Sequence, residues 1–128
     1  MNEIKRAFVV KFLKDFKKIA TEGRGIDFIP RVKNRDALLK LGLTKKNAKQ
    51  EILSLSVADY CSGPEPDKDR AGEIWEFGKL LNEKEVYIKL KIAQVEKEQI
   101  AKCISFHPPE FPLHFPLREG IKKGGETK

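Results

Sequence analysis

With 128 residues, 40% of them hydrophobic and 35% charged, the chain has room for one domain around a single core and falls outside the disordered and membrane-spanning classes. A formal charge of +7 and a pI near 9.4 favour a polyanionic partner, because Lys and Arg release counterions on meeting phosphate; solubility alone explains the same charge until its placement is known. Cys61 and Cys103 match neither a CxxC pair nor a zinc spacing, and the apolar run Ala7 to Val10 stops at Lys11, too early for a signal peptide, so a cytoplasmic setting without metal, cofactor or membrane is expected.

Ile4, Phe8, Phe12, Phe16 and Ile19, with Val9 and Leu13 beside them, recur at helical spacing and predict an amphipathic helix from about Asn2 to Ala20. Its opposite stripe of Lys11, Lys14 and Lys18 reads first as a solvated face and second as a phosphate contact. Gly23 and Gly25 end that helix, and Ile26 to Val32 reads as a short extended segment that Pro30 assigns to a sheet edge. Asn34 is expected to cap a short helix holding Ala37, Leu38 and Leu41, with Gly42 as its left-handed stop. Thr44 caps the next helix, in which Leu43 and Ala48 form a staple and Ala48, Ile52 and Leu55 a buried stripe. Ser56 to Asp59 predicts one further turn, and Cys61 to Gly72 reads as a polar loop.

From Glu73 the apolar period changes to two. Ile74 to Leu80, Glu85 to Ala93 and Ile100 to His107 are predicted strands, joined through Asn82-Glu83-Lys84 and a turn near Glu96 to Glu98. The tail from Pro108 is Pro-rich and expected to be extended, with Gly120 to Lys128 loose. The whole is one α+β domain over 1–128: an N-terminal helix and edge strand in 1–33, helices in 34–60, a small antiparallel sheet in 73–107 and the tail in 108–128.

Alternation sorts the faces of that sheet, because residues two apart on a strand share a face. Val86, Ile88, Leu90 and Ile92 face the core, so Tyr87, Lys89 and Lys91 face outward. Taking Ile104 and Phe106 as core sends Cys103, Ser105 and His107 outward too. Glu76 joins them if Trp75 and Phe77 are inward, although Ile74 and Leu80 would support the opposite parity. A carboxylate, an imidazole, a phenol and ammonium groups on one face suit metal-free RNA cleavage, in which a 2′-hydroxyl attacks the adjacent phosphate and a 5′-hydroxyl leaves. Glu76 would take the 2′ proton, His107 would protonate the leaving oxygen, and Lys89 and Lys91 would steady charge on phosphorus. Tyr87 would stack on a base or donate to phosphate, and Lys79 and Arg31 would add backbone contacts. Each residue also has an ordinary explanation as a solubilising, ion-paired or packing group.

Ala37-Leu38-Leu39, Leu41-Gly42-Leu43, the run Ile52 to Tyr60, Ile74-Trp75, Val86-Tyr87-Ile88-Lys89 and Ile104-Ser105-Phe106 occur in an order and at spacings that resemble the MqsR family of bacterial toxins. The likeness spans roughly Asn34 to His107. It implies a RelE-like fold, a toxin of a type II toxin–antitoxin system, cleavage of messenger RNA whether or not on the ribosome, and neutralisation by a cognate antitoxin. Tyr87 falls on the family's active-site tyrosine, Glu76 on a glutamine, His107 on a lysine, and Ser62 where the family carries a further lysine. Other RelE-like toxins are similar to this chain in pairing a glutamate with a histidine. Two other readings use the same residues: a non-catalytic RNA-binding or ribosome-associated module, and a scaffold or antitoxin-like protein whose contact surfaces are the first helix and the tail.

Overall fold

A computed structural model describes residues 2–118; the expectation of a loose segment over Gly120 to Lys128 lies outside the described residues. The element order is α1 (Asn2–Glu22), β1 (Ile26–Phe28), α2 (Val32–Leu41), α3 (Lys45–Leu53), a single 3₁₀ turn at Val57–Asp59, then β2 (Tyr60–Pro66), β3 (Glu73–Leu81), β4 (Lys84–Val95) and β5 (Glu98–His107). The class is α+β. Among the described residues the sheet is mixed rather than purely antiparallel and has five strands, in the order β1-β5-β4-β3-β2, with β1 parallel to β5 and the other pairs antiparallel. Among the described residues no helix is long and apolar enough to cross a membrane.

The helices cover one face of the sheet. Val9, Phe12, Leu13, Phe16 and Ala20 of α1 are buried, and the Phe12 ring stacks on Trp75 with centroids 4.6 Å apart. Trp75 and Phe77 therefore point inward, which settles the parity of β3 and sends Glu76 outward. Burying an aromatic ring of this size contributes about 2 kcal/mol, enough for a few such rings to fix the strand's orientation against the exposed Leu80. The β3–β4 hairpin closes on Asn82 and Glu83, both at positive φ (51° and 65°), the two-residue turn whose twist suits a hairpin.

Three local expectations are corrected. Asn34 does not cap α2, which starts at Val32 behind Arg31; it is fully buried, its amide donating to Ile29 O (2.9 Å) and Ile104 O (3.0 Å) and accepting from Phe106 N (2.9 Å). The segment from Cys61 is not a loop throughout, because Tyr60–Pro66 forms an edge strand with two register shifts against β3. Cys103 is not outward: it is fully buried in the core, because β5 bulges between the pairs Leu90↔Cys103 and Lys89↔Ser105, leaving Ile104 as the extra residue. The tail from Pro108 runs over the outer face of the sheet, where a Cβ on Gly78 would stand 2.6 Å from Leu113 Cδ1 and 3.1 Å from the Phe115 ring. Thr44 does cap α3, in a box with Asn47, and Gly42 adopts the left-handed conformation (φ 69°) that ends α2.

Candidate active site

The outer face of the sheet is built by three central strands. In the ladder Glu76 lies beside Lys89 and Lys89 beside Ser105, while one pair further along Gly78 lies beside Tyr87 and Tyr87 beside His107. The bulge at Ile104 restores outward parity for Ser105 and His107 while Phe106 stays in the core. Glu76, Tyr87, Lys89 and His107 thus line one cleft of about 300 Å³, to which Arg31, Lys33 and the tail residues Pro109 to Phe111 contribute the rim. Since Glu76 and His107 stand on strands separated by one other, their backbones are on the order of 10 Å apart, so their side chains address the cleft from two sides.

Each side chain is held by a specific partner. The Ser62 hydroxyl donates to Glu76 Oε1 at 2.8 Å, which orients the carboxylate and leaves its other oxygen as an acceptor. His107 is only 7% exposed and forms the floor of the cleft, its ring 5.5 Å from that of Tyr87. Its Nδ1 lies 2.8 Å from Pro108 O; a carbonyl can only accept, so Nδ1 carries the proton and Nε2 is the nitrogen free to bind or release one. Burial pushes the Tyr87 phenol's pKa well above its ordinary value, and the charge of Glu76 and a hydrogen bond to it push it further, so Tyr87 acts as a neutral donor rather than a base. The Lys89 ammonium stands 6.0 Å from the centre of the Tyr87 ring and joins no ion pair among the described residues. Arg31, on the exposed rim, donates to Ser105 Oγ at 3.2 Å.

Two expected phosphate contacts are not in this cleft. Lys91 points outward as alternation requires, but the loop after β2 closes over it: Lys91 is 4% exposed and its Nζ lies 2.6 Å from Asp67 Oδ2. With its charge paired and covered, it cannot meet RNA. Lys79 shares the parity of Trp75 and Phe77, so it lies on the helical side, bonding Ser54 Oγ and standing 3.2 Å from Glu51 Oε1 near the end of α3. Sequence reasoning overlooked Lys33, which stands in the first turn of α2, and Glu110 and Phe111, which reach the cleft because the tail folds back; an aromatic between Pro109 and Pro112 was the one available signal. A larger groove of about 970 Å³ lies elsewhere, between Ile4 and Phe8 of α1 and the bulged strand β2, and it contains no histidine. Neither thiol is activated: burial pushes Cys61 up to about 11 and Cys103 higher still. Among the described residues no three His, Cys, Asp or Glu side chains gather as a metal site would need. Set against protein-family models, characterised proteins and solved structures, the chain finds no significant match in any of the three comparisons.

Proposed function

We propose that this protein is a RelE-like endoribonuclease, an mRNA interferase of the toxin half of a type II toxin–antitoxin pair, which cleaves messenger RNA in the cytoplasm and is restrained by a cognate antitoxin. The observation that carries this reading is the meeting of Glu76, Tyr87, Lys89 and His107, with Arg31 at the rim, in one cleft on the face of the sheet opposite the helices. In the proposed reaction Glu76 removes the proton from a ribose 2′-hydroxyl as its oxygen attacks phosphorus. The bond to the 5′ oxygen breaks, and His107 Nε2 delivers a proton to that leaving oxygen, giving a 2′,3′-cyclic phosphate and a 5′-hydroxyl. Lys89 and Arg31 stabilise the added negative charge, and the neutral Tyr87 phenol donates to a phosphate oxygen. The family resemblance carries over in part: Tyr87 falls on the family's tyrosine, whereas Glu76 and His107 stand in place of a glutamine and a lysine, and Ser62 stands where the family has a further lysine.

The test is to incubate purified protein with a single-stranded RNA in chelator and identify the termini. Fragments ending in cyclic phosphate are expected, a 2′-deoxy nucleotide at the cut position should abolish that cut, and His107→Ala should slow cleavage by about 10²- to 10⁴-fold. RNA bound tightly yet left intact would replace this reading with that of a non-catalytic RNA-binding module, and no affinity even at low salt would point to a protein scaffold.

A further inference from the structure

The tail that follows β5 is tied down along its length. Lys33 forms an ion pair with Glu110; Leu113 and Phe115 sit on Gly78, next to Tyr87 in the ladder; Leu117 is buried. At its end the Arg118 guanidinium donates to Ala58 O at 3.1 Å and lies 3.7 Å from Asp59 Oδ1. Between these anchors Phe111 is left 67% exposed at the mouth of the cleft that holds Tyr87 and His107. A lone exposed phenylalanine on a protein surface needs no explanation. This one differs because it is flanked by Pro109 and Pro112, clamped on both sides, and set beside Arg31 and Lys33 rather than on an apolar patch.

Resting on the ribonuclease reading, we infer that Phe111 is a stacking platform for a nucleobase adjacent to the scissile phosphate, which makes the Pro-rich tail one wall of the substrate site. An aromatic face takes any base, so the platform adds affinity and fixes the strand's path without dictating a sequence. A fixed platform also avoids the ordering cost that a mobile ring would bring to binding. Phe111 and Tyr87 line the same cleft as Glu76 and His107, so a base stacked on Phe111 would bring its ribose-phosphate beside the proposed base and acid.

The experiment measures affinity for short RNAs made uncleavable by one 2′-deoxy sugar, with a set in which each base around that sugar is removed in turn. Phe111→Ala and Phe111→Leu should each weaken binding roughly tenfold or more, whereas Phe111→Trp should bind at least as well, with its fluorescence quenched on binding. One abasic position should cost the wild type about as much and cost Phe111→Ala nothing further, the signature of a direct contact. Alanine and leucine variants that bind like wild type, or an abasic penalty that is equal in both backgrounds, would overturn the inference while leaving the ribonuclease reading intact. A wild-type protein with no affinity for any of these RNAs would overturn both.

Discussion

Asn34 shows how one buried side chain positions the site. Its amide satisfies Ile29 O, Ile104 O and Phe106 N at once, tying β1 and the first turn of α2 to the bulge of β5. Ser105 and His107 flank Phe106, so the direction in which they point depends on that bond. Replacing Asn34 by alanine leaves the buried Phe106 N without its partner, at a cost of about 1–3 kcal/mol, whereas Ile29 O keeps its bond from Arg31 N and Ile104 O its contact with the Arg31 guanidinium. Asn34→Ala should therefore lower the unfolding free energy by about 1–3 kcal/mol, read as a lower urea midpoint at unchanged slope. A loss under about 1 kcal/mol would mean that water enters and replaces the amide, and that the bulge is held by other bonds.

Among the elements, β3 and β4 are legible because alternation is a local property: Trp75, Phe77, Val86, Ile88 and Leu90 are all buried, and Glu76, Tyr87 and Lys89 face outward. In β5 alternation fails at a single residue, since counting back from Phe106 puts Ile104 inside, whereas the bulge gives that place to Cys103. No composition signal marks a bulge at Ile104. Strand β2 was illegible because Gly63, Pro64 and Pro66 contradict strand propensity, and only the ladder offered by β3 organises them. The fate of Lys91 was beyond local reasoning, because the loop that covers it comes from 24 residues away.

That loop makes a prediction of its own. The hydrogen bond from Lys91 holds the Asp67 carboxyl down at about 2, below the roughly 3.9 of an unfolded aspartate. A carboxyl whose folded value is depressed favours the fold once the pH is above the unfolded value, and that contribution fades as the pH falls through the folded one. Asp67→Asn should therefore be less stable than wild type near neutrality, with the gap closing as the pH falls from about 4 towards about 2. Thermal midpoints across that range read it directly; a gap that stays constant with pH would locate the loss in packing of the loop rather than in the ion pair.

At the scale of the whole molecule the surplus of +7 is less informative than where it remains free. Lys91 is neutralised by Asp67, Lys79 by Glu51 on the helical side, and Lys11 of α1 pairs with Asp15 at 2.9 Å. The cleft retains Lys89 and Arg31, together with Lys33, whose charge is shared with Glu110. Each phosphate neutralised on a single strand contributes about 0.7 to the slope of log affinity against log salt, so two or three contacts predict a magnitude of about 1.4 to 2. Lys89→Gln should reduce that slope by about 0.7, and Lys79→Gln should leave it unchanged. The same two variants discriminate the faces of the sheet: a slope sensitive to Lys79 and indifferent to Lys89 would put the RNA against the helices and empty the proposed site. A slope much steeper than 2 would instead add the α1 stripe of Lys14 and Lys18 to the path of the strand, because the cleft alone does not hold enough free cations to produce it.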